Sequence, residues 1–92
     1  MAGKGYIWQK TKEALDSLTI DAGSDAIDAA KRSLAILKAS QPQFDDDDAR
    51  EAWERLMELM NAPSPQMSAD EKTEFTEKLW RVFSYSTGIP SN

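Results

Sequence analysis

Four segments of this chain repeat apolar residues at the spacing of an amphipathic α-helix. At about 100° per residue, side chains three and four positions apart fall on one helical face. The pattern predicts helices over approximately 6–18, 23–39, 45–61 and 69–86. No strand-like alternation of useful length appears in the sequence. Because the connections are short, we expect an all-α fold, a small single-domain bundle of four short amphipathic helices.

The third segment has the clearest start and the clearest division into two faces. Its first turn contains the four aspartates Asp45 to Asp48, which suit the positive end of a helix dipole. Asp45 is the predicted N-cap, with Phe44 and Ala49 placed as a hydrophobic staple. The apolar face comprises Ala52, Trp53, Leu56, Met57, Leu59 and Met60. The opposite face carries a row of carboxylates, called the acidic ridge below: Asp47, Glu51, Glu54 and Glu58.

The first two helices are defined by their apolar stripes and by the connector between them. In the first helix the stripe is Ile7, Thr11, Ala14, Leu15 and Leu18, with Trp8 at its edge. Gly3, Gly5 and early lysines should loosen its start, because positive charge there opposes the helix dipole. The main apolar stripe of the second helix is Ile27, Ala30, Leu34 and Leu37. We expect 19–23 to form the connector, with Asp21 or Ser24 as the next cap.

The fourth helix has a signal at each end. Ser68 and Glu71 fit a capping box, in which the serine and the glutamate satisfy each other's backbone N–H groups. Gly88 and Pro90 should stop the helix. Its predicted apolar face is Phe75, Leu79, Val82 and Phe83.

Two aromatic residues of the fourth helix fall outside this stripe. Trp80 points about 120° from the centre of the apolar face on one side, and Tyr85 about 100° on the other. Exposed aromatic side chains often anchor protein interfaces. The alternative is that Trp80 packs on the first helix or on the connector with Pro63 and Pro65.

Composition limits the possible chemistry. The chain has no cysteine and no histidine, so it lacks thiolate ligands, the commonest general base and the commonest metal ligand. Its net charge is −5 at pH 7. Most of that charge lies in 41–78, which holds eleven acidic and four basic residues. We expect a cytoplasmic protein without a membrane segment, and not an enzyme.

Neither group of aspartates has the spacing of a calcium-binding loop. The run that begins at Asp45 has no glycine at the sixth loop position. A loop beginning at Asp21 would place Gly23 at a ligand position and Arg32 where a bidentate glutamate belongs. We therefore expect no metal site and no cofactor.

A three-residue motif resembles a known carrier family. Asp16-Ser17-Leu18 is similar to the motif at which acyl carrier proteins hold phosphopantetheine, and those proteins are also small, acidic and four-helical. In that family a helix and a long loop precede the serine, and another helix begins directly after it. Here Ser17 lies near the N-terminus and a predicted turn follows it. We expect Ser17 to lie at the end of the first helix.

The charge pattern favours a protein partner over nucleic acid. The second helix mixes Lys31, Arg32 and Lys38 with aspartates, which does not suit contact with phosphates. We predict a protein–protein interaction module that binds and occludes or scaffolds a larger, basic partner. Its predicted contact residues are Asp47, Glu51, Glu54, Glu58, Trp80 and Tyr85. The alternatives are an inhibitor that mimics nucleic acid, with Glu74 and Glu77 extending the ridge, and a homo-oligomeric subunit joined through Trp80 and Ile36.

Overall fold

Four α-helices form the fold, as the sequence predicts. The computed structural model describes residues 4–20, 24–63 and 66–87. The helices are α1 (Lys4–Ile20), α2 (Ser24–Ala39), α3 (Asp47–Met60) and α4 (Ala69–Thr87). The predicted cap at Asp21 and the stop at Gly88 and Pro90 lie outside the described residues, as do Gly3 and Pro65.

Helix α1 is longer at both ends than predicted. It begins at Lys4 and includes Gly5. The Lys4 ammonium lies 4.7 Å from the centre of the Tyr85 ring on α4. Such a contact contributes about 0.5–1 kcal/mol, comparable with the cost of a lysine in a first turn. At the other end, Thr19 and Ile20 remain helical, because these residue types lower helix stability by only a few tenths of a kcal/mol.

The N-cap of α3 is Asp46, and the prediction of Asp45 is wrong. Asp46 has extended backbone angles, and its carboxylate accepts a 3.0 Å hydrogen bond from the Ala49 N–H. The one-residue shift removes Phe44 and Ala49 from the positions of a hydrophobic staple. Phe44 packs against the rings of Trp53 and Tyr85, with centroids 5.7 Å and 5.4 Å away. This tertiary packing was not visible from local sequence.

The capping box at the start of α4 is confirmed. The Ser68 N–H donates to the Glu71 carboxylate at 3.0 Å, and the Glu71 N–H donates to the Ser68 hydroxyl at 3.1 Å. Hydrogen bonding to the Glu71 carboxylate, chiefly from the Ser68 backbone N–H and then from the Ser68 hydroxyl, holds the pKa of Glu71 below its usual value. The capping box therefore satisfies two backbone donors at the start of α4.

Helix α4 packs against both α1 and α3, and α2 packs mainly against α1. Contacts between α1 and α4 pair Lys4 with Tyr85 and Trp8 with Phe83, so the two helices are antiparallel. The α3–α4 contacts also run in opposite directions, because Asp48 pairs with Arg81 and Arg55 with Glu74. Helix α4 therefore has two edges with different neighbours.

One hydrophobic core contains residues from all four helices, and its positions match the predicted stripes. Ile7, Leu34, Leu56 and Phe75 are fully buried, one from each helix. Met67 adds the connector before α4 to the same core. Lys31 on α2 donates a 2.5 Å hydrogen bond to the Ala62 carbonyl after α3. The Cα radius of gyration is 12.2 Å, close to the roughly 12 Å expected for a compact chain of this length.

Candidate functional site

The acidic ridge lies on the solvent-facing side of α3. Asp47, Glu51, Glu54 and Glu58 are all exposed, whereas Leu56 and its neighbours on the opposite face are buried. This arrangement confirms the predicted division of the helix into an apolar and an acidic face.

Two arginines partly neutralise the ends of the ridge. Arg50 forms an ion pair with Asp47 one turn away, and Arg55 approaches Glu58 at 3.4 Å. Glu51 and Glu54 form no ion pair within the described residues. The central part of the ridge is therefore where a partner would meet uncompensated negative charge.

The main contact of Arg55 is with α4. Its Nε and Nη2 atoms donate to the two carboxylate oxygens of Glu74 at 2.7 Å and 2.8 Å. This two-pronged geometry is the strong form of an arginine–carboxylate pair. It holds the pKa of Glu74 below its usual value and raises the pKa of Arg55. Glu74 is thus occupied within the chain, which argues against its predicted part in an extended acidic track.

Trp80 is a surface residue. It is 51% exposed, and its ring makes a T-shaped contact with Phe83 at a centroid distance of 5.6 Å. Phe83 in turn stacks on Trp8 of α1 at 6.3 Å. Trp8 is 38% exposed. These three residues, called the aromatic strip below, follow the α1–α4 seam and place apolar ring surface in contact with solvent.

Tyr85 lies at the opposite edge of α4, as its helical angle predicts. Its hydroxyl donates to the Asp45 carboxylate at 2.7 Å and accepts from the Asp45 N–H at 3.2 Å. The hydroxyl contact lowers the pKa of Asp45, and partial burial raises the pKa of Tyr85. The Tyr85 ring packs on Phe44 and under Lys4. The structure therefore brings Tyr85 together with the α2–α3 connector, and not with Trp80.

No match emerged from comparisons of this chain with protein-family models, curated proteins and solved structures. The candidate site consequently rests on the geometry of the chain itself. In the described part of the chain, no three acidic side chains converge in a way that would hold a metal ion. Within those same residues, no helix has the length and apolar content needed to cross a membrane.

Sequence reasoning missed the aromatic strip as a unit. It placed Trp8 at the edge of a stripe and Phe83 within the apolar face of α4, but it gave no reason to join them. The available signal was that each residue lies to one side of the centre of the apolar stripe on its helix. Their contact could be inferred only by knowing that α1 and α4 are neighbours.

Ser17 lies within α1, not at its end. Its hydroxyl donates to the Glu13 carbonyl one turn earlier at 3.1 Å, a common hydrogen bond for serine inside a helix. The helix continues to Ile20. The arrangement differs from the carrier-protein motif, in which a helix begins directly after the serine.

Proposed function

We propose that this protein is an interaction module that binds a basic protein through the outer surface of α3 and α4. The half-exposed Trp80 carries this proposal. A tryptophan held in place by a neighbouring ring presents a large contact area with little conformational entropy to lose on binding. Trp80 is ordered in this way by Phe83, while half of it remains open to a partner.

The acidic ridge supplies the charge preference of the proposed partner. Glu51 and Glu54 are exposed in the centre of α3, and the side chain of Asp48 is 72% exposed beside them. Carboxylates in this position attract a basic surface over a distance of about 8–10 Å at ordinary ionic strength. Their main effect would be on the rate of association, with Trp80 contributing to the lifetime of the complex.

The charge density of the ridge favours a basic protein over mimicry of nucleic acid. One DNA strand carries a phosphate about every 3.4 Å. The four ridge carboxylates span eleven helical steps, or about 16 Å, which gives roughly one charge every 5 Å. Arg50 and Arg55 compensate the two ends of this row. An interrupted row of this kind suits a few lysine or arginine contacts better than a nucleic-acid groove.

Affinity capture from an extract of the source organism tests the proposal. The bait is the whole protein, and the variants are Trp80→Ala and the double variant Glu51→Lys/Glu54→Lys. The matched control is Glu13→Lys/Asp16→Lys, which changes the net charge equally on α1. We expect a basic protein to be retained by the wild type and the control, weakened by high salt, and lost with both test variants. Circular dichroism would check that all four proteins remain helical.

Other outcomes would overturn the proposal in identifiable ways. Equal retention by all variants would show that neither Trp80 nor the ridge contacts the partner. A dimer of the purified protein that dissociates in Trp80→Ala, without any captured partner, would favour the homo-oligomeric alternative. Loss of binding in the α1 control as well would indicate a nonspecific charge effect.

A further inference from the structure

The aromatic rings of this protein differ in whether a cation covers them. Lysine ammonium groups lie over the rings of Tyr85, Tyr6 and Trp8, at centroid distances of 4.7 Å, 5.6 Å and 5.9 Å. Trp80 is the most exposed aromatic side chain of the described residues, and none of their cations lies over it. Indole is the side-chain ring that attracts cations most strongly. The most exposed indole ring of the described residues is therefore without an internal cation.

A carboxylate lies beside this ring on the same face of α4. Glu77 precedes Trp80 by three residues, which places their Cβ atoms about 5–6 Å apart on the helix surface. Glu77 is exposed and forms no ion pair with any described residue. The neighbouring Arg81 is directed toward α3, where its guanidinium lies 3.8 Å from the Asp48 carboxylate. Trp80 and Glu77 thus offer an uncovered ring and an unpaired negative charge together.

We propose that Trp80 and Glu77 bind an arginine side chain of the partner. The guanidinium stacks on the indole ring and donates hydrogen bonds in its own plane to the Glu77 carboxylate. Arginine suits the pair better than lysine, because a planar guanidinium combines a stacking face with donors at its edge. This inference rests on the proposed function for the source of the arginine, and it specifies the contact that Trp80 makes.

A titration with a hexa-arginine peptide, followed by NMR of the tryptophan indole N–H signals, tests this contact directly. The three tryptophans give three signals, and the spectrum of Trp80→Phe assigns one of them. We expect the Trp80 signal to shift in a saturable way, while Trp8 and Trp53 change little. Hexalysine at equal concentration should produce a smaller shift and weaker binding.

Two substitutions and one matched control separate a specific site from general attraction. Trp80→Leu keeps an apolar side chain but removes the ring, and Glu77→Gln removes only the charge. Each should weaken hexa-arginine binding by about threefold or more. Glu13→Gln makes the same change in net charge on α1 and should have little effect. Equal weakening by Glu77→Gln and Glu13→Gln, or wild-type affinity in Trp80→Leu, would overturn the inference.

The peptide titration and the capture experiment test separate claims, and either can give a negative result without the other. Partner capture that depends on Trp80, combined with a Trp80 signal that hexa-arginine does not move, would retain the proposed function and overturn the arginine contact. A specific arginine-induced shift at Trp80 without any captured partner would support the arginine site and count against the proposed function.

Discussion

The two edges of α4 are built from different chemistry. The edge toward α3 is joined by polar contacts, namely Arg55 with Glu74, Arg81 with Asp48 and Tyr85 with Asp45. The edge toward α1 carries the aromatic strip, in which Trp8 of α1 stacks on Phe83, and Phe83 makes a T-shaped contact with Trp80 of its own helix. Both edges flank the same buried stripe of α4, so the difference concerns the surface and not the core.

This difference indicates what each edge can offer a partner. At the α3 edge the strongest polar groups already have partners within the chain, and the remaining charge is the centre of the acidic ridge. At the α1 edge the rings cover only part of one another's apolar surface, and Trp80 stays half exposed. A partner can therefore gain apolar burial at one edge and long-range attraction at the other. Salt should weaken the α3 edge and leave the α1 edge nearly unchanged.

The largest expected effect comes from removing the middle ring of the strip. Phe83→Ala removes the contacts to both Trp8 and Trp80. Because Phe83 is only partly buried, we expect the free energy of unfolding to fall by about 2 kcal/mol. A fully buried phenylalanine typically costs more, about 3–5 kcal/mol. Phe83→Leu should lose less, since it retains most of the apolar volume. Urea unfolding at low and high salt would measure both losses.

A substitution at Ile36 provides the control for this prediction. Ile36 is a large apolar residue on α2 with the same 51% exposure as Trp80. Ile36→Ala should change stability by about 0.5 kcal/mol or less, as expected for an exposed position. A loss for Phe83→Ala that is no larger, or one that varies strongly with salt, would contradict the contrast between the two edges.

The sequence predicted the helices and their buried faces because both follow from local periodicity. The stripe Phe75, Leu79 and Val82 is buried as expected, and Ser68 and Glu71 form the predicted capping box. Two differences from the prediction occur where residues make contacts distant in sequence. Such contacts extend the start of α1 to Lys4 and place Phe44 among aromatic rings.

The positions of the candidate residues on their helices were predictable from sequence, but the arrangement of those helices was not. Helical angles correctly separate the acidic ridge from the core and place Trp80 and Tyr85 on opposite sides of α4. They do not reveal which helix faces each edge. The pair of Arg55 with Glu74 and the pair of Tyr85 with Asp45 depend on α3 lying next to α4. Those pairings give two predicted surface groups partners within the chain: Glu74 contacts α3, and Tyr85 contacts the connector before it.

A smaller, pH-dependent effect is expected at the ionic edge. The pKa of Glu74 in the folded protein is lowered, chiefly by its hydrogen bonds with Arg55, so the unfolded chain takes up this proton at a higher pH. The stabilisation is complete above the ordinary glutamate pKa, about 4.3, and is lost as the pH falls through the folded-state value. Glu74→Gln should lower the Tm at pH 7 and reduce the fall in Tm under acidic conditions.

Salt and a neighbouring carboxylate test this interpretation. High salt should narrow the difference in Tm between the wild type and Glu74→Gln, because the pair is partly exposed to solvent. Glu77→Gln removes the same charge one turn later, where no described residue forms an ion pair with it. It should leave the pH profile of the wild type nearly unchanged. An equal effect from the two substitutions would mean that net charge, and not the Arg55 contact, sets the acid sensitivity.

Among the substitutions that break a contact at the polar edge, the smallest effect is expected from Tyr85→Phe, which removes one hydroxyl and keeps the ring on Phe44. Loss of its hydrogen bonds with the exposed Asp45 should lower the Tm only slightly, because water replaces the lost partner. The pKa of Asp45 should rise toward its ordinary value, because the tyrosine hydroxyl is the main cause that lowers it. An NMR titration of side-chain carboxyl groups measures this change, with Glu71 as the internal reference because Ser68 lowers its pKa independently. An unchanged Asp45 pKa would show that the polar edge does not extend to the end of α4, and that the rings alone hold the connector there.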